Sequence, residues 1–78
     1  MNEAELKNLI LELLSSIAPE ADYSSLAGDA NLRETLDLDS MDFLNFVTAL
    51  HQRTGKNIPE SDYPELITLD KAINYLRR

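Results

Sequence analysis

Between Leu6 and Ile17 the apolar residues Leu6, Leu9, Ile10, Leu13, Leu14 and Ile17 recur at i, i+3, i+4, i+7, i+8 and i+11, a spacing that paints one face of a helix. That stripe governs what the chain can become. With 78 residues and no cysteine there is no disulfide or thiolate metal site to staple the fold, and a domain of this length buries only about 60% of its unfolded-chain surface. Its core must therefore be built from local helices. Asn2 can cap the first of them, with Glu5 reaching back three residues later as in a capping box, and Glu3 and Glu5 suit the positive end of the helix dipole. Pro19 ends it.

From Ala18 to Leu38 the polar and small residues Ser24, Ser25, Gly28, Asp29 and Asn31 interrupt any long period, while Leu26, Leu32 and Leu36 recur as apolar pegs. A structureless stretch of about 20 residues is unusual in a small domain, so these leucines are expected to be pinned to the core, with a helical turn over Asn31 to Leu36. Asp39 then opens a second main helix as N-cap, with Asp42 at its third position and Phe43, Phe46, Val47 and Leu50 as its apolar stripe. Thr54-Gly55 closes it. Ile58-Pro59 reads as an extended connection into a short helical piece over Glu60 to Glu65, kept short by Pro64. Thr68 caps the last helix, where Leu69, Ala72, Ile73 and Leu76 share a face and Arg77 and Arg78 complement the negative dipole end. No strand pattern or repeat is present. The expected fold is all-α: one domain over residues 1–78, a four-helix bundle with three main amphipathic helices, one short helix and a long first loop.

Composition narrows the chemistry. Seven basic against fourteen acidic residues leave a net charge of −7, which repels nucleic-acid phosphates and anionic lipid and suits either basic protein surfaces as partners or solubility alone. The longest apolar run, Leu9-Ile10-Leu11, is far short of the ~20 residues of a membrane span, and the first residues lack the basic and apolar regions of a signal peptide. A cytoplasmic monomer is expected. The single histidine, His51, lies eleven residues from Ser40 on the same expected helix, about 16 Å along its axis, too far to activate that hydroxyl. The acidic run from Asp37 to Asp42 starts like a calcium loop but fails, because Met41 stands at the fifth place, Asp42 replaces the turn glycine and Thr48 the final glutamate. No metal site and no catalysis are expected. What remains is Ser40, a hydroxyl on the first turn of a helix, where free N–H groups and the dipole tolerate a phosphate ester; the same position also suits an ordinary N-terminal serine.

Leu36-Asp37-Leu38-Asp39-Ser40-Met41-Asp42, followed eighteen residues after Ser40 by Ile58-Pro59, resembles the signature of the acyl carrier protein family, whose Asp-Ser-Leu motif bears the phosphopantetheine serine. The resemblance covers essentially the whole chain. It implies that Ser40 receives 4′-phosphopantetheine from coenzyme A through a phosphopantetheinyl transferase, and that the thiol of this covalent arm holds acyl groups as thioesters. It further implies that Asp37, Asp39, Met41 and Asp42, with Glu34 widening the acidic patch, meet basic acyl-transferring, ligase or synthase enzymes. A pocket for the acyl chain would involve Phe43, Val47, Leu50, Tyr63 and Leu66, with bulk at Phe43 and Tyr63 shortening it; the alternative is ordinary core or rim packing, the more usual role of aromatic residues at helical spacing.

The chain departs from the family pattern in three places. Met41 replaces the usual leucine at similar volume. Asp37 stands where a glycine is common, and aspartate tolerates left-handed backbone better than most residues. Asn45, His51, Gln52 and Arg53 thin the acidic surface of the second main helix, which suits a dedicated ligase or synthase as well as general fatty acid synthesis. An aryl, aminoacyl or D-alanyl carrier is the alternative within the family, and an unmodified acidic helical interaction module the alternative outside it.

Overall fold

The computed structural model describes all 78 residues, in an envelope of 28 × 26 × 20 Å. Helix α1 runs Glu3–Ile17, α2 Leu32–Thr35, α3 Ser40–Thr54 and α4 Leu69–Arg77, with 3₁₀ segments at Tyr23–Ser25 and Glu60–Leu66. The fold is an all-helical bundle of the expected type. In α1 the Asn2 side chain accepts from the Glu5 N–H at 2.8 Å, and the Glu5 carboxylate accepts from the Asn2 N–H at 3.2 Å, completing the capping box. Leu6, Leu9, Ile10, Leu13 and Leu14 are buried and Ile17 half-buried, and α1 packs on both α3 and α4. Its C-terminus needs other partners for its carbonyls. The Tyr23 hydroxyl supplies one, lying 2.9 Å from the Leu14 carbonyl and 2.6 Å from that of Ala18.

The long connection is held at both ends. Asp22 accepts from the hydroxyls of Ser24 and Ser25 at 2.6 and 3.0 Å, winding the Tyr23–Ser25 turn that local periodicity does not announce and holding its carboxyl below the ordinary range. Farther along, the Leu32 N–H donates to the Ile67 carbonyl at 2.8 Å and the Asp70 N–H to the Gly28 carbonyl at 3.0 Å. The loop is thus stitched to the start of α4. Leu32 and Leu36 are buried as expected, Leu26 is half-buried, and Asn31 caps α2 by accepting from the Glu34 N–H at 3.0 Å.

All seventeen buried residues are apolar or aromatic, and no buried side-chain nitrogen or oxygen lacks a hydrogen-bond partner. Stability therefore rests on side-chain burial; Phe46, fully enclosed at the centre, is one of the residues whose burial contributes about 1.5–3 kcal/mol each. The apolar face of α4 packs on the core as expected, with Tyr75 as an added member. On α4 the buried aromatic is Tyr75, while Leu76 is only half-buried. The Tyr75 hydroxyl donates to Asp62 on the second 3₁₀ segment at 2.6 Å, so the phenol is buried with its oxygen satisfied.

Candidate functional site

Two consecutive caps present Ser40. At the end of α2 the chain turns through Asp37, whose φ of +54° is the left-handed conformation, and the Leu38 N–H donates back to the Arg33 carbonyl at 2.9 Å. That bond is the long closure of a Schellman motif, with aspartate where glycine is usual. Leu36 and Leu38 are buried while Asp37 and Asp39 face solvent, which pins the short link between the helices. Helix α3 then starts on a reciprocal box: the Asp39 carboxylate accepts from the Asp42 N–H at 2.8 Å, and the Asp42 carboxylate from the Asp39 N–H at 3.3 Å. Ser40 is the first helical residue, and it is exposed.

Around this hydroxyl the structure gathers residues from three elements. Arg33, from α2, donates from Nη2 to the Ser40 Oγ at 3.3 Å, and its guanidinium lies 5.7 Å from the Phe43 ring centroid. Phe43 meets Tyr63 of the second 3₁₀ segment edge-on, with centroids 6.1 Å apart at 70°. Together with Leu44 and Glu60, these residues line an open groove of about 380 Å³ that begins at Ser40. A larger groove, about 550 Å³ between α1 and α4, shares no residue with it. Phe43 and Tyr63 thus flank the serine, whereas Val47, Leu50 and Leu66 sit in the packed core behind them. Met41 and Leu44, 64% and 42% exposed, place apolar side chains on the outer surface of the same helix turn.

Asp37, Asp39 and Asp42 lie beside Ser40, although the last two each commit one carboxylate oxygen to the cap. Asn45, His51, Gln52 and Arg53 are exposed farther along α3; the His51 ring Nδ1 contacts the Lys56 carbonyl at 2.8 Å, and Arg53 pairs with Glu12 at 3.6 Å. No group of three carboxylate or histidine side chains is placed to hold a metal ion. An exposed primary hydroxyl on the first turn of a helix, beside an open groove and a cation, fits a phosphodiester-linked arm without desolvating anything. Sequence reasoning missed Arg33, Leu44 and Glu60. Arg33 stands seven residues before Ser40 across a turn, so no helical period links the two.

The family model described as phosphopantetheine attachment site matches residues 4–76. The chain belongs to that family. The acyl carrier protein of Lactobacillus johnsonii is 32% identical over 77 residues, spanning 99% of this chain and 95% of its own length. That of Campylobacter fetus is 32% identical over 72 residues, spanning 92% and 87%. A mitochondrial acyl carrier protein of Arabidopsis thaliana is 25% identical over 76 residues, spanning 97% of this chain and 60% of its own. Members of the family are carriers, not catalysts, and the covalently attached 4′-phosphopantetheine supplies the thiol on which cargo is held. No helix is long and apolar enough to cross a membrane.

Proposed function

We propose that Ser40 is the attachment point and that the chain, a single carrier domain over residues 1–78, shuttles acyl groups as thioesters between enzymes of fatty acid or specialised lipid or polyketide synthesis. The observation that carries this reading is the exposed hydroxyl at the first position of α3, presented by two caps beside an open groove. In the modification, Ser40 Oγ forms a bond to the pantetheine-bearing phosphorus of coenzyme A. The bond from that phosphorus to adenosine 3′,5′-bisphosphate breaks, and the hydroxyl proton passes to the phosphopantetheinyl transferase. The acyl carrier proteins among its relatives favour acyl cargo over aryl or aminoacyl cargo. A cytoplasmic location belongs to the same proposal.

Asp37, Asp39, Met41 and Asp42 are the proposed contact surface of a monomer for the transferase and for basic acyl-handling enzymes, the three aspartates acting as rim charges that raise encounter rates and set orientation and Met41 as an exposed apolar contact. Exposed Leu44 extends that surface with an apolar contact. The thinned charge at Asn45, His51, Gln52 and Arg53 favours a dedicated partner alongside or instead of the general synthase. The test is an intact-mass measurement after incubation with coenzyme A and a broad-specificity transferase. Wild type should gain one arm and Ser40→Ala none; an unchanged wild-type mass would favour an unmodified interaction module.

A further inference from the structure

The chain has four arginines, and three are ion-paired: Arg53 with Glu12 at 3.6 Å, Arg77 with Glu3 at 3.7 Å and Arg78 with Glu65 at 2.7 Å. Arg33 pairs with no carboxylate, although Glu34, Asp37 and Asp39 are close in sequence. Instead its guanidinium lies over the Phe43 ring and one of its nitrogens is aimed at the Ser40 oxygen, 3.3 Å away. Holding a long side chain in that place costs rotamer entropy, and a neutral hydroxyl in water returns little for it. The arrangement has the form of an anion contact: the guanidinium is held over an aromatic ring, 5.7 Å from its centroid, while Nη2 donates toward the serine.

We propose that Arg33 is a positioning residue for the phosphodiester of the prosthetic arm. The inference rests on Ser40 as the attachment point. Once Ser40 is esterified, its Oγ becomes a bridging oxygen, and the two non-bridging oxygens that carry the negative charge are joined to the same phosphorus. A guanidinium already within reach of Oγ is within reach of those oxygens, and it can exchange a neutral acceptor for a charged one without leaving Phe43. Arg33 is also the only cation at a site otherwise bordered by Asp37, Asp39, Asp42 and Glu60, so it offsets the repulsion that an added phosphate meets there. Because the groove lined by Phe43, Leu44 and Tyr63 opens beside the same arginine, anchoring the phosphate there biases the start of the arm toward that groove.

The experiment compares modified wild type, Arg33→Lys and Arg33→Gln by ³¹P relaxation of the phosphodiester and by the ¹H–¹⁵N signal of the Arg33 Nε–H. Intact mass verifies one arm on each, with Ser40→Ala as control, and thermal melting of the unmodified variants verifies that each folds. An exposed charge pair shifts the occupancy of such a contact by about twofold to fivefold. In wild type the Arg33 signal should move and exchange more slowly on modification, and high salt should reverse part of the change. The phosphorus of Arg33→Gln should relax like that of a free phosphodiester, and Arg33→Lys should fall between. If Arg33→Gln gains the arm normally and its phosphorus relaxes as in wild type, the proposal is overturned while Ser40 stands. If wild type gains no arm at Ser40, both readings fall together. Should Arg33→Gln not fold, the wild-type Nε–H signal and the lysine variant decide the matter alone.

Discussion

At the residue scale, Asp37 takes a backbone conformation that most side chains resist. An L-residue other than glycine or asparagine/aspartate loses about 1–2 kcal/mol in the left-handed region, and a β-branched one is worst placed there. Urea denaturation should therefore rank Asp37→Gly at least as stable as the parent and Asp37→Val about 1–2 kcal/mol below it. A valine variant as stable as the parent would show that this turn is not left-handed. Tyr75 provides a pH-dependent counterpart. Its hydrogen bond to Asp62, reinforced by burial, raises the phenol from its ordinary 10.0 to about 12. The protonated phenol is the bonded form, so its contribution is complete below pH 10 and is lost as pH rises toward about 12. Tyr75→Phe should cost about 0.5–1.5 kcal/mol at neutral pH. That deficit should shrink across the alkaline window in parallel urea titrations, and a deficit constant through it would contradict the assignment.

At the element scale, α3 does two jobs with adjoining faces. Phe43, Phe46, Val47 and Leu50 are buried, and the exposed face offers Ser40, Met41 and Leu44. The second 3₁₀ segment completes the groove by setting Tyr63 against Phe43, and these two rings form its wall. If acyl chains enter here, thermal stabilisation by attached chains should level off at short lengths in wild type. Tyr63→Ala should let the gain continue to longer chains. A steady increase with chain length in wild type would show that the rings do not limit the cavity.

At the scale of the whole molecule, a net charge of −7 is spread over a small bundle that has three ion pairs, all of them exposed. Pairs of that kind contribute little, so mutual repulsion among the carboxylates is left largely unbalanced. Added salt or divalent cations should raise the melting temperature by screening that repulsion, and a melting temperature independent of both would contradict this. The same charge distribution leaves the carboxylates near Ser40 free to meet a basic partner, with Arg33 as the local exception.

The helices and their starts were legible from residue order, because a capping side chain and an apolar period are local features. Asn2 with Glu5, Asp39 with Asp42, Gly55 and Thr68 all act where their spacing places them. The motif around Ser40 likewise needed no coordinates to be noticed. What lay outside a linear reading were contacts between elements: Tyr75 bonded to Asp62, the long loop stitched to α4, and Arg33 carried across a turn to the serine. Sequence alone determined which segments coil and which hydroxyl begins α3. Only the packing of those segments decided what stands beside that hydroxyl, since neighbours across a turn are chosen by chain reversal and core burial and leave no period to read.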